Sequence, residues 1–456
     1  MDRLAHVGRR VAVIGAGWAG LAAAVSLVER GAAVEVFEAS RHLGGRARRV
    51  TVEGLELDNG QHILIGAYGE TLRLMRAVGV DPEQAFLRLP LELRSTSGFR
   101  LRAADLPPPW HLLVGLLRAG GVGLGDRITT VRLVAAHRRR GYRLDRDETV
   151  QAWLARQPDA VRAAFWEPLC TAALNTPVGR ASAQVFLNVL RDTIEGDREA
   201  SDLLLPRLDL SALFPEAAAR HVASRGGSVH LGAPVRRIDR TSDGFRLGEG
   251  GFFTHVVVAC APQHAGALLA HLAGTEVLAH RLERIDYEPI HTCYLQYPGS
   301  TALPFPMLGV QGGLAQWVFD RGRLSGHHGL IACVLSGAGP HESLSPDELA
   351  AALHAELSRA LPGLPAPRWT RVIAEKRATF SCRVGVDRPA NATSAPRSGG
   401  SWPGSAALSR NVVDSSMAAL AGVRPVELEC ALCVLPHRPS GRVPRQANAA
   451  SLQERR

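Results

Sequence analysis

Apolar and polar positions change period twice within the first forty residues. Val11-Ala12-Val13-Ile14 is a short apolar run, mostly β-branched, the pattern of a strand buried in a parallel sheet. Gly15-Ala16-Gly17-Trp18-Ala19-Gly20 follows at once, and Leu21 to Arg30 reads as a helix closed by Gly31. Val34-Glu35-Val36-Phe37 predicts a second strand, ended by Glu38. Further on, Leu55 and Leu57 alternate with polar neighbours, predicting a strand that turns at Asp58-Asn59-Gly60. Phe252 to Ala259 predicts another strand, ending at Cys260-Ala261-Pro262.

Strand, GxGxxG turn, helix, strand and terminal acid together form the signature of a dinucleotide-binding βαβ unit. In that reading Gly15 permits the tight turn, Gly17 lets the backbone approach a pyrophosphate, and Gly20 lets helix and strand pack closely. Ala16, Trp18 and Ala19 offer N–H groups at the positive end of the helix. Glu38, with Ala39 beside it, can accept from ribose hydroxyls. The competing reading is an α/β unit with an incidental glycine turn. Arg41-His42-Leu43-Gly44-Gly45-Arg46 is a loop with two glycines and flanking arginines. It can bring Arg41, Gly44, Gly45 and Arg46 near a flavin or its pyrophosphate, and the residues by themselves leave FAD or NAD to be decided.

Length and composition narrow the setting. The 456 residues suggest two or three joined domains, and 46% apolar content is ordinary for a globular protein. The net charge is +10, and Lys376 is the single lysine, so much of the arginine excess reflects GC-rich coding. No zinc-finger, RNP or helix-turn-helix pattern accompanies the charge, which argues against nucleic acid. A solvated basic surface or an anionic membrane face remains. Seven dispersed cysteines fit a reducing compartment rather than a disulfide framework. Cys430 and Cys433 have CxxC spacing without a second ligand pair, so no metal site is expected. The polar start, Met1 to Arg10, and the lack of a long apolar run predict a soluble or peripheral protein. Pro107-Pro108-Pro109-Trp110, the apolar stretch Leu112 to Arg118 and the basic end His137-Arg138-Arg139-Arg140 fit an interfacial segment as well as an ordinary packed helix pair.

The Glu-x(n)-Gly-Gly-Arg continuation after Glu38 resembles the amine oxidase and phytoene desaturase superfamily of FAD enzymes. Asp58-Asn59-Gly60-Gln61-His62 resembles the corresponding segment of bacterial hydroxysqualene dehydroxylases, squalene-associated FAD enzymes of hopanoid biosynthesis. Trp166 to Leu169, Ala173 to Thr176, Tyr287 to Ile290 and Glu375 to Phe380 extend the likeness over roughly residues 10 to 393. The resemblance implies an α/β fold: a discontinuous Rossmann-like FAD-binding domain with an α+β substrate domain. The implied division is 8–105, 216–265 and 375–393 for the FAD-binding parts. A helical, membrane-facing segment spans 106–215, and the substrate sheet spans 266–374. The resemblance also implies a backbone contact near the adenine at Val235, for which a core strand position is the plain alternative. Gln61 and His62 are expected near the flavin, and Glu288 reads as a strand-end residue.

The implied reaction is reduction of hydroxysqualene to squalene by a cytoplasmic enzyme at the inner face of the bacterial membrane. Its substrate would be an isoprenoid lipid. A protonated donor would assist departure of the hydroxyl, and His62 and Asp58 are the candidates. Structural roles stand beside these: Asp58 as a turn cap, His62 bonded to backbone. The superfamily closes with a strand, a Gly-Asp pair and a helix facing the flavin. No Gly-Asp pair occurs after Thr393, and residues 394–456 read as an atypical, disordered tail rich in Pro, Arg and Ser. A shift of reading frame near Thr393 accounts for that break, with natural divergence as the alternative. Two other functions stay open: a carotenoid-precursor desaturase, and an inactive remnant with a damaged flavin site.

Overall fold

The computed structural model describes residues 8–248 and 251–386, together with the strand Cys433–Pro436. In chain order the elements that position the site are β1 (Arg10–Ile14), α1 (Trp18–Glu29), β2 (Ala33–Glu38), β3 (Arg49–Val52) and β4 (Leu55–Asp58). Helices α2 (Trp110–Leu117), α3 (Leu124–Arg139), α4 (Glu167–Leu174) and α5 (Ala183–Glu195) follow. Then come β5 (Ser228–Leu231), β6 (His255–Val258), β7 (Tyr287–Gln296), β8 (Met307–Gly309) and β9 (Trp317–Asp320). The series ends with α6 (Arg321–Ser325), β10 (Leu330–Ser336), α7 (Pro346–Ala360), β11 (Trp369–Phe380) and β12 (Cys433–Pro436).

The first sheet has the order β5-β2-β1-β6-β12. Its first four strands are parallel, with Val11 opposite both Val34 and His255. Both faces are covered, which is why β1 reads as a continuous apolar run: Val11 to Ile14 are all buried. On one face Val11 and Val13 pack with α1, whose Leu21 to Val28 are buried throughout. On the other, Ala12 and Ile14 meet Val256, Val258, Phe253 and Leu269. The fold is therefore α/β with a Rossmann-like sheet.

The second sheet, β8-β9-β10-β7-β11, is antiparallel at every pairing. Its register along β7 and β11 shifts between Glu288 and Ile290. One of its faces joins the helices α4 and α5 in a core containing Tyr294, Phe319, Trp166 and Phe186. The other face is covered by α7 through Leu349, Leu353 and Leu357.

Three expectations are corrected. The single strand expected from Phe252 to Ala259 is two. Thr254 gives both its N–H and its hydroxyl to the Arg10 carbonyl at 2.9 Å. Phe252–Phe253 joins a separate antiparallel sheet while His255–Val258 lies along β1. The basic end of the interfacial segment is smaller than its sequence, because His137 is buried and accepts from Trp153 Nε1 at 2.9 Å. Arg138 pairs with Glu195 at 2.8 Å, leaving Arg139 and Arg140 exposed at that end. In the tail, Cys433–Pro436 forms β12, antiparallel to β6. Cys430, the break at Thr393 and the rest of 394–456 lie outside the described residues.

Candidate active site

A cavity of about 960 Å³ runs from the carboxyl ends of β1 and β2 into the space walled by α2, α4 and α5. Its first part is built by glycine and backbone. Gly15 has φ +107°, and a Cβ there would come within 2.8 Å of the Ala259 carbonyl oxygen. A Cβ on Gly20 would lie 1.9 Å from the Gly15 carbonyl oxygen, so the helix can start only this close to the sheet without one. Gly17 instead opens on the cavity, its nearest obstacle being the Gly45 Cα at 3.9 Å. No side chain caps α1, whose first residues Trp18 and Ala19 line the space. Glu38 is fixed at the strand end, its two carboxylate oxygens accepting from Ala16 N at 2.7 Å and Ser40 N at 2.8 Å.

The second glycine loop docks on the first. Gly44 N donates to the Ala16 carbonyl at 2.9 Å, and Gly44 bridges Gly17 in parallel. Arg46 turns inward, its Nη1 donating to the carbonyls of Arg377 at 2.8 Å and Ala378 at 2.7 Å. Of the positions expected to meet a cofactor, Gly15, Gly17, Trp18, Ala19, Glu38 and Ala39 line this cavity. So do Gly44, Gly45, Arg46, Gln61, His62 and the half-buried Val235. Ala16 and Gly20 stand behind the wall, and Arg41 is exposed and outside it.

Past this end lies the loop after β4. Asn59 Nδ2 donates to the Arg46 carbonyl at 3.1 Å, tying the loop to the cofactor side. His62 faces the cavity, with Nδ1 2.8 Å from the Gly60 carbonyl. A carbonyl only accepts, so Nδ1 carries the proton and Nε2 is left as the acceptor of a neutral ring. Burial pushes the His62 pKa down to about 4, and the Arg46 charge adds to the effect. At neutral pH the ring is thus neutral, with its Nδ1 proton donated to the Gly60 carbonyl. Asp58 is turned away from the cavity. Its Oδ1 accepts from Leu210 N at 2.8 Å, and its Oδ2 lies 3.5 Å from Arg321 Nη2. Both residues are buried. Burial lifts the Asp58 pKa to about 6 against the pull of Arg321. Its position is that of a structural anchor, not of a donor to substrate.

The inner end is apolar. Leu112 and Leu116 of α2, Trp166, Phe186, Leu190 and Phe319 face it. At its rim, Asn175 ties together segments that are far apart in the chain. It sits in the left-handed region with φ 46°. Its Nδ2 donates to Thr379 Oγ1 at 2.8 Å and the Pro289 carbonyl at 3.2 Å, and its Oδ1 accepts from Gly337 N at 2.7 Å. Glu288, read from sequence as a strand-end residue, is buried, accepting from Ser381 Oγ at 2.6 Å and pairing with Arg180 at 3.0 Å.

These residues fit FAD. An uncapped helix N-terminus with open space at Gly17 suits a pyrophosphate, and the anchored Glu38 keeps lone pairs for ribose hydroxyls. The cavity is at the upper end of the size for small-molecule sites, with room for a second, apolar ligand.

Fold and site together define a flavin-dependent oxidoreductase. The chain belongs to the family described as flavin containing amine oxidoreductase, which matches residues 18–377, and it is an FAD-dependent enzyme. It is similar to the hydroxysqualene dehydroxylase of Rhodopseudomonas palustris, 28% identical over 386 residues, covering 82% of this chain and 87% of that one. The hydroxysqualene dehydroxylase of Zymomonas mobilis is 25% identical over 394 residues, with the same coverage. Among solved structures, an oxidoreductase from Methanosarcina mazei superposes with a TM-score of 0.63 at 17% identity, over 84% of this chain and 92% of that one. That likeness is one of fold.

Proposed function

We propose that the protein reduces hydroxysqualene to squalene, supplying the hydrocarbon for hopanoid synthesis. The observation that carries this reading is the continuity of one cavity: a nucleotide end framed by backbone donors opens directly into a chamber lined by leucine and aromatic side chains. Polar substrates would be poorly matched to that chamber, whereas a triterpene chain fills it at a gain of roughly 25 cal/mol per Å² of apolar surface buried. When bound and reduced, FAD would supply the hydride that replaces the hydroxyl on the allylic carbon, the hydroxyl leaving as water with a proton from the reduced cofactor or solvent. His62, which lines the cavity, would accept a hydrogen bond from the substrate hydroxyl through Nε2 and so orient it. The chamber walls exclude water from the reacting carbon and hold the chain in line.

We also infer a peripheral contact with an anionic membrane through α2 and α3. Trp110 is 57% exposed and Leu124 is 63% exposed, with Leu106, Leu117 and Ile128 near them in the chain. Arg118, Arg132, Arg139 and Arg140 are exposed on the same segment. The opposite side of α2 lines the chamber, so a bilayer-dissolved lipid would travel only one helix thickness to reach it. No helix among the described residues is long and apolar enough to cross a membrane.

The test is conversion. Purified protein loaded with FAD and reduced under anaerobic conditions is mixed with hydroxysqualene in vesicles, and products are identified by mass spectrometry. Squalene is the expected product. No squalene from a flavin-loaded protein, or turnover of phytoene instead, would overturn the reading.

A further inference from the structure

Arg321 opens α6 and is almost wholly buried, a costly setting for a guanidinium unless it is used. Its Nη1 donates to Gln61 Oε1 at 3.0 Å, and its Nη2 lies 3.5 Å from Asp58 Oδ2. Asp58 is itself held from two other elements, by Leu210 N–H on its carboxylate and Tyr294 Oη on its carbonyl. The guanidinium thus ties the start of α6 to the end of β4 and the loop after it, with Gln61 and Arg321 260 residues apart in sequence.

A guanidinium has donors and no acceptor, so the atom of Gln61 that faces it is the amide oxygen. The amide nitrogen is then turned to the other side of a side chain that lines the cavity. That nitrogen carries two N–H donors. Its hydrogen-bond contact among the described residues is with the His62 carbonyl at 3.5 Å, the long limit of such a bond. Its donor capacity is nearly unspent.

We propose that Arg321 is a positioning residue for the cofactor: it fixes the Gln61 amide so that its N–H donors serve an acceptor atom of the isoalloxazine ring. The inference rests on FAD dependence and not on the identity of the lipid. A donor aimed at a ring oxygen or nitrogen stabilises the electron-rich reduced ring more than the oxidised one, so Arg321 raises the flavin potential through Gln61. Asp58 offsets the charge of Arg321, which leaves the amide as the carrier of the effect.

Four variants separate this from a direct charge effect and from a purely structural role. Q61L removes the donor. The pair D58N/R321M removes Arg321 without leaving a lone buried charge, and the amide oxygen that D58N introduces can still accept from Leu210 N. The triple variant combines them. FAD affinity, the visible flavin bands and the reduction potential are read for each. Q61L and D58N/R321M are expected to weaken FAD binding roughly fivefold each, as for one neutral hydrogen bond, and to lower the potential. The triple variant is expected to match Q61L, and R321K, which keeps a donor, to retain most of the wild-type potential. Additive shifts in the triple variant would overturn the proposal in favour of a direct charge effect. Unchanged bands and potential in D58N/R321M, with only a lower melting temperature, would overturn it in favour of a structural role. Wild-type protein that takes up no FAD would overturn it together with the flavin assignment, whereas the other two results leave that assignment standing.

Discussion

A methyl group on residue 20 would sit 1.9 Å from the Gly15 carbonyl oxygen, a distance no backbone adjustment within one turn can relieve. G20A is therefore expected to cost about 3 kcal/mol or more in stability and to abolish FAD uptake. Urea unfolding and flavin absorbance of the purified variant check both. His62 gives the second prediction. Its pKa is about 4 in the fold against an ordinary 6.5, so the unfolded chain binds the extra proton between those values. Stability linked to His62 is fully present above pH 6.5 and is lost as pH falls through 4. H62Q should abolish up to about 3 kcal/mol of that acid loss, seen as a shallower fall in unfolding midpoint from pH 7 to pH 4. Asp58 acts in the opposite sense, favouring the fold as pH falls below about 6, so the comparison must be wild type against H62Q. Glycine spacing and Glu38 were legible because the turn, the helix start and the acid are neighbours in the chain, even though what crowds Gly15 is the distant Ala259. Arg321 and Asn175 were not. One reads as any of many arginines, and the other acquires its role only where Thr379, Pro289 and Gly337 converge on a left-handed turn.

Helices α2 and α3 show where periodicity stops being informative. Leu112, Leu116 and Leu117 belong to one apolar run, yet the first two line the chamber and Leu117 faces outward. Sequence alone does not tell an apolar helix packed on both sides from one packed on a single side. The basic end misled in the other direction, since His137 is taken by Trp153. If the outer face meets a bilayer, replacing Trp110 and Leu124 by serine should lower binding to anionic vesicles at least tenfold, from roughly 1.5–3 kcal/mol per large apolar side chain withdrawn. FAD binding should be unchanged. Sedimentation with vesicles measures the first and flavin absorbance the second; vesicle binding equal to wild type would remove this face from consideration.

Over the whole molecule, the α/β class and the parallel sheet were readable from strand, turn and helix signals. The antiparallel sheet was not, because β8, β9 and β10 are covered on both faces and lose the alternation that marks a half-buried strand, while β11 mixes exposed charges with half-buried positions. The two ends of the cavity should be separable in function. L116W fills the chamber from α2, far along the lining from Gly17, and is expected to reduce turnover of a triterpene alcohol at least tenfold while leaving FAD affinity within twofold of wild type. Loss of flavin in that variant would mean that the chamber and the nucleotide end do not fold independently.

The parallel sheet has one further consequence, in the timing of synthesis. Strands β1 and β2 leave the ribosome early, but their neighbours β5 and β6 begin only at Ser228 and His255. Until then the first βαβ unit carries two raw hydrogen-bonding edges and an unroofed Ala12 and Ile14, a template for mispairing. Pairing between strands so far apart in the chain is slow to form. The flavin cleft, which needs Ala259 to close against Gly15, comes into being only after more than half of the polypeptide has been made.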